Sequence, residues 1–152
     1  MDQSRRKFVK NWALAVAIAA TCSKVKIALA ASWNKVGFES KAVADALKAI
    51  GASGATPSRD IVISAADIAE NGAQVPITIS SKIPNTQSIS IVVSKNPFPL
   101  NSTFHFANGA EGYVSTKIKM DQSSSVLAIV QADGRFFSSG KEVKVTIGGC
   151  AA

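Results

Sequence analysis

In Gln74-Val75-Pro76-Ile77-Thr78-Ile79-Ser80 the apolar side chains stand at 75, 77 and 79. A period of two puts every second side chain on one face of a strand, so this stretch reads as a half-buried β-strand. Pro76 lacks an N–H and marks an edge or the strand's start. The same alternation appears upstream in Ile61 and Ile63, beyond a turn signal at Glu70-Asn71-Gly72. Downstream, Pro84-Asn85 breaks the chain before Ile89, Ile91 and Val93 resume. Asn96-Pro97-Phe98-Pro99-Leu100 is a rigid loop bearing two bulky apolar side chains. Phe104 and Phe106 come next, then residues 113–120, 126–131, Phe136-Phe137 and 143–147, with Asp133-Gly134 as a hairpin turn between apolar runs. About seven short strands at roughly 8–12-residue spacing imply an all-β, immunoglobulin-like β-sandwich.

Ahead of the strands the period differs. From Ser40, an N-cap residue type, Val43, Ala44, Leu47 and Ile50 fall at helical spacing, with Phe38 just before and Gly51 at the C-cap. The spacing predicts one helix over about 38–50, its apolar face packed on the domain. Residues 52–58 (Ala-Ser-Gly-Ala-Thr-Pro-Ser) read as a loop.

The formal charge of +7 at pH 7 is unevenly placed. Residues 1–30 hold six basic groups (Arg5, Arg6, Lys7, Lys10, Lys24, Lys26) against Asp2 alone, which leaves 11 basic and 9 acidic groups in 31–152. The remainder is near neutral, so the charge gives no argument for nucleic-acid binding. Ser4-Arg5-Arg6-Lys7-Phe8-Val9-Lys10 matches a twin-arginine export signal. An Ala-rich apolar run at 11–21, too short to span a bilayer, leads to Ala28-Leu29-Ala30, a small-x-small cleavage site. The expectation is a periplasmic destination and a chain in three parts. These are a leader over 1–30 removed at Ala30, a β-sandwich with an N-terminal helix over 31–147, and a flexible arm over 148–152.

Cleavage after Ala30 removes Cys22 and leaves Cys150 as the single cysteine, in an oxidising compartment. It has no internal disulfide partner, so it is free, bridged to another chain, or chemically loaded. Most enzymatic chemistry has no residues to run on. One histidine, His105, and one cysteine fall short of a zinc or copper ligand set. His105 stands between Phe104 and Phe106, on the face opposite two core aromatics, and so toward solvent. There is no glycine-rich nucleotide loop, no nucleophile elbow and no paired carboxylates. The absence of Cys-x-x-Cys argues against a thiol-disulfide oxidoreductase.

The thiol sits at the end of Val143-Lys144-Val145-Thr146-Ile147-Gly148-Gly149-Cys150-Ala151-Ala152. An alternating strand runs into Gly148-Gly149, a step that frees the residues beyond it from the strand. Three residues beyond Ile147 give roughly 10 Å of reach at about 3.3–3.6 Å each. That length pushes a thiol into a narrow site on another protein. A thiolate is both nucleophile and leaving group, so Cys150 can take up a sulfur species and hand it on.

These residues resemble the C-terminus of SoxY, the sulfur-carrier family of the periplasmic thiosulfate-oxidising system. The resemblance extends to Ile68-Ala69-Glu70-Asn71-Gly72-Ala73-Gln74-Val75-Pro76, Lys95-Asn96-Pro97-Phe98-Pro99-Leu100, residues 114–120 (Val-Ser-Thr-Lys-Ile-Lys-Met) and Glu142-Val143-Lys144. It implies an immunoglobulin-like subunit paired with SoxZ in a heterodimer. Cys150 matches the carrier cysteine. A haem enzyme, SoxAX, would join thiosulfate to it, a hydrolase, SoxB, would release sulfate, and the carrier itself would need no cofactor. The family ends Gly-Gly-Cys-Gly-Gly where this chain ends Gly-Gly-Cys-Ala-Ala, a slightly stiffer and bulkier tip.

The expected role is therefore that of a sulfur carrier and not of a catalyst. Its partner surface would be the Pro97-Phe98-Pro99 loop or the apolar face of the 38–50 helix, each also accounted for by packing. The rival reading is a structural β-sandwich subunit whose cysteine forms an interchain disulfide.

Overall fold

A computed structural model of the chain describes residues 33–146. Contacts divide the chain into two units, residues 1–33 and 34–152, and every element below belongs to the second. Two short helices, α1 (Lys35–Glu39) and α2 (Val43–Ala49), come first. Nine strands come after them among the described residues: β1 (Thr56–Pro57), β2 (Ile61–Ala65), β3 (Ile68–Ala69), β4 (Val75–Ser81), β5 (Thr86–Val93), β6 (Leu100–His105), β7 (Tyr113–Ile118), β8 (Ser124–Ala132) and β9 (Arg135–Val145).

The alternation in β4 translates directly. Val75, Ile77 and Ile79 are buried on one side, while Pro76 is exposed and Thr78 and Ser80 partly so. β4 is the middle strand of a three-stranded sheet ordered β2-β4-β7. Pro76 keeps the strand-start position: pairing with β2 ends at Ala65↔Ile77, so Pro76 is paired only with β7, across Lys117. The larger sheet runs β1-β9-β8-β5-β6, with β3 also on β9. Its inward residues Ile89, Ile91, Val93, Val126, Ala128, Val130 and Val143 meet those of β4 and β7 in one core, which Met120 completes. The result is the expected immunoglobulin-like β-sandwich.

The second core lies on the outer face of the larger sheet. Ala46 and Ala52, with Phe38, Val43, Leu47 and Ile50, pack on Val92, Leu100 and Ile129. β5 is therefore buried on both faces from Ser88 to Val93. Its two outward serines are matched to neighbouring strands, Ser88 Oγ donating to Gln131 Oε1 (3.3 Å) and Ser90 Oγ sharing a bond with Thr103 Oγ1 (3.0 Å).

The helix expected over about 38–50 is α2, preceded by a single turn of helix in α1. Ser40 does not cap α2. It closes α1, its Oγ donating to Val36 O (2.7 Å), and Ala42 holds the N-cap of α2 without a side-chain bond. Asn34 caps α1 through Gly37 N (3.0 Å) and donates to Ala49 O (2.9 Å), tying the start of one helix to the end of the other. Gly51 does stand at the C-terminus of α2, with φ +78°. Gly51 N donates to Lys48 O (3.0 Å) and Ala52 N to Leu47 O (2.7 Å), the paired bonds of a Schellman motif.

Two further expectations change. Phe136-Phe137 and the run from Val143 are one eleven-residue strand, β9, and not two. Gly140 interrupts the apolar pattern because a Cβ there would stand 3.0 Å from Leu127 Cδ2 on β8. The 52–58 loop contains β1, which pairs in parallel with β9 at Thr56↔Phe137 and Pro57↔Ser138. The Asp133-Gly134 turn matches: both residues have positive φ (47° and 72°) and join Ala132 to Arg135, as a type I′ hairpin requires.

Gly51→Ala forces a Cβ into left-handed backbone and should destabilise the domain by about 1 kcal/mol. Urea denaturation checks this, with Gly54→Ala as the neutral control, since Gly54 has open space where a Cβ would go.

Candidate functional site

Cys150, Gly148 and Gly149 lie outside the described residues, as do Arg5, Arg6, Cys22 and Ala30. The structure defines instead the point from which the chain sets out toward Cys150. On its β8 side, β9 pairs as far as Ser124↔Val143. Beyond that the Ser123 side chain replaces a backbone partner: Val145 N donates to Ser123 Oγ (2.8 Å), and Ser123 Oγ donates to Val145 O (3.3 Å). One hydroxyl extends the ladder by a residue that β8 itself does not supply.

The other edge of β9 is held by β3, in parallel, at Ile68↔Lys144 and Ala69↔Val145. Lys144 N donates to Asp67 O (2.9 Å) and Thr146 N to Ala69 O (3.1 Å). Thr146 Oγ1 then donates to Glu70 O (2.9 Å). The turn after β3 is fixed in its own right, because Ala73 N donates to Asn71 Oδ1 (2.8 Å) and Met120 N to Gly72 O (2.7 Å). Val145 is thus held from the β8 side and Thr146 from the β3 side, and Cys150 comes four residues after Thr146 in the sequence. Four residues at about 3.3–3.6 Å each cap the Cα separation of Thr146 and Cys150 at roughly 14 Å.

Lys141 Nζ bridges to Asp67 Oδ1 (2.9 Å), linking β9 to the segment before β3. The hydrogen bond from Lys141, and then its charge, hold the Asp67 carboxyl below the usual carboxylate range. The carboxylate is solvent-exposed, so the pair fixes a position more than it stabilises the fold.

The Asn96–Leu100 loop reaches the same end of the sandwich, where β5 ends and β8 starts (Val93↔Val126). Asn96 Nδ2 donates to Lys119 O (2.7 Å) and Asn96 Oδ1 accepts from Asp121 N (3.0 Å). Leu100 is buried, whereas Phe98 keeps 50% of its surface exposed. The apolar face expected over 38–50 is spent on the larger sheet. His105 is exposed at the end of β6, with Phe104 and Phe106 packed against the core. Among the described residues, no group of three or more His, Cys, Asp or Glu could hold a metal, and no helix is long and apolar enough to cross a membrane.

A groove of about 560 Å³ opens at the opposite end, between Ser81, Thr86, Phe106, Asn108 and Tyr113. Two of its hydroxyls are committed to each other and to the backbone: Ser81 Oγ meets Thr86 Oγ1 (2.9 Å), and Thr86 Oγ1 donates to Ile83 O (2.8 Å). Thr86 pairs with Ala132 at the far end of β8 from Ser123. That strand spans about 30 Å at roughly 3.3 Å per residue, more than twice the reach to Cys150.

The double clasp was not visible in the sequence. Residues 122–125 are Gln-Ser-Ser-Ser, and nothing in that serine run distinguishes Ser123 from its neighbours.

With the geometry in place, comparison with known proteins is specific. A family model described as sulfur oxidation protein SoxY matches residues 47–150, a span that includes Cys150. Among solved structures, the chain is similar to the sulfur carrier protein SoxY from Chlorobium limicola f thiosulfatophilum. The identity is 34% and the TM-score 0.64, covering 75% of this chain and 100% of that one. Comparison with curated proteins gives no match.

The lowered Asp67 value has a checkable sign. A carboxylate depressed by folding contributes stability above its unfolded value of about 3.9, and that contribution is lost as pH falls through the lower folded value. In an NMR titration, Asp67 should protonate below the ordinary range, and Lys141→Ala should raise it.

Proposed function

Because this chain belongs to the SoxY family of sulfur oxidation proteins, we propose that it carries inorganic sulfur covalently on Cys150 and presents it to separate enzymes. The observation that carries this reading is the family match running through Cys150, combined with a strand whose last described residues are clasped at the surface. A fixed Thr146 with Cys150 only four residues further along the sequence suits a thiol that must enter another protein while its load stays attached.

Loading joins the Cys150 thiolate to thiosulfate: Cys–S⁻ and S₂O₃²⁻ give Cys–S–S–SO₃⁻ and two electrons. The electrons pass to a haem partner of the SoxAX type. Water then attacks the terminal sulfur in a SoxB-type hydrolase, giving Cys–S–S⁻, sulfate and two protons. The S–S bond next to Cys150 survives, so one sulfur stays on the carrier as a persulfide for a later oxidation or transfer. The chain supplies the nucleophile and the handle, and the partners supply catalysis.

The chain is exported by the twin-arginine route and works in the periplasm as a heterodimer with a SoxZ-like subunit. Arg5-Arg6 and the near-neutral body support export, since the basic charge is concentrated in residues 1–30.

The test is intact mass of the protein taken from periplasm of thiosulfate-grown cells, with and without reductant. The expected result is a reductant-sensitive thiosulfate or persulfide adduct on the peptide holding Cys150. Cys150→Ser should abolish the adduct and thiosulfate-dependent respiration while leaving the unfolding midpoint unchanged. A bare thiol or a homodimeric disulfide alone would identify a structural subunit.

A further inference from the structure

Cys150 comes four residues after Thr146, which is fixed to the domain. Thr146 is held through both its N–H and its hydroxyl to the chain at Ala69-Glu70, and Val145 is held to Ser123. An enzyme that encloses the Cys150 sulfur therefore brings its entrance within roughly 14 Å of Thr146. A standard protein interface covers about 800 Å² per partner, a disc of roughly 16 Å radius. A footprint of that size, centred that close, must overlap the residues around Thr146.

Besides Phe98, which is 50% exposed at the same end of the sandwich, the residue that offers apolar surface there is Ile68. It is 60% exposed although it lies in a strand, opposite Lys144 in the β3–β9 register and two residues from Glu70. A single exposed isoleucine has no significance by itself. This one is presented from backbone that Asp67 O and Ala69 O fix to β9, immediately beside the departure point of the thiol. Apolar contacts at the centre of a footprint, shielded by a polar surround, carry most of an interface's energy. Here the exposed polar neighbours in sequence and register are Asp67, Glu70, Asn71 and Lys144.

We propose that the surface around Thr146, with Ile68 at its centre, is the docking rim for the enzymes that take Cys150 into an enclosed site. Their entrances carry a complementary apolar patch. The inference rests on the carrier reading above, and it adds the surface by which the carrier is recognised. Because Thr146 is common to every encounter, the same rim serves loading and unloading.

The experiment measures steady-state loading of the full mature protein, with its partner subunit, by the thiosulfate-conjugating haem enzyme from the same periplasm. Ile68→Asp should raise KM for the carrier by about ten-fold or more and leave kcat within about two-fold. The rate of Cys150 alkylation by iodoacetamide, which needs no rim, should be unchanged. Val62→Asp, at a 47% exposed position on β2 near the far end of the sandwich, is the control and should change neither constant. Wild-type protein that takes no sulfur adduct would overturn the carrier reading and the rim together. Normal loading of wild type with an equal KM for Ile68→Asp would overturn the rim alone. So would loss of the partner subunit from Ile68→Asp, which would make this surface the subunit's seat.

Discussion

The antiparallel pairing of β8 with β9 holds the rest of the domain in place. It runs without a break from Ala132↔Arg135 to Ser124↔Val143. β5, and through it β6, attaches to the free edge of β8, while β1 and β3 attach to the free edge of β9. The inward side chains of the pair, Val126, Ala128, Val130 and Val143, line the main core, and their outward neighbours Leu127 and Ile129 support the helices. Such a hairpin is local in sequence, so its contacts cost little loop-closure entropy compared with the β4–β7 and β5–β8 pairings that span tens of residues.

The core is free of ionisable side chains. Among the described residues the buried polar side chains are three serines, Ser88, Ser90 and Ser124. In the proposed chemistry, hydrolysis of the adduct releases protons. Stability depends on pH only through groups whose affinity for protons differs between folded and unfolded chain. Here the Asp67 carboxyl, held low by Lys141, is exposed at the surface, so its protonation loosens a surface pair and leaves the core untouched.

The sequence is legible wherever side chains report the backbone's state. Val75, Ile77 and Ile79 disclose a strand because burial is written in side-chain polarity. Asp133-Gly134 and Gly51 disclose turns because positive φ is written in residue type. β1 and β3 left no such mark. They are two-residue strands joined to β9 through backbone groups that nearly every residue carries, at positions as unlike as Thr56-Pro57 and Ile68-Ala69. β9 was read as two pieces because Gly140 serves the packing of Leu127 and not the strand's own pattern. Cys150 stands out in the sequence as a candidate, since only one thiol lies beyond residue 30. The hold on Val145 does not stand out, because it depends on which of the adjacent serines turns its hydroxyl toward that residue.

The type I′ turn has a consequence far from where it sits. With a two-residue connection, Ala132 is forced opposite Arg135, and every later partner along β8 and β9 is indexed from that pair. Counting from that pair brings Ser123 opposite Lys144, from where its hydroxyl reaches the neighbouring Val145. Asp133-Gly134 is thus the zero mark of a ruler whose other end, about 30 Å away, sets how many residues of slack the thiol receives. A family that needs a longer or shorter leash can change it by adding or removing residues after Thr146. It cannot do so by altering the turn, since a one-residue slip of β9 against β8 would also turn Val143 out of the core.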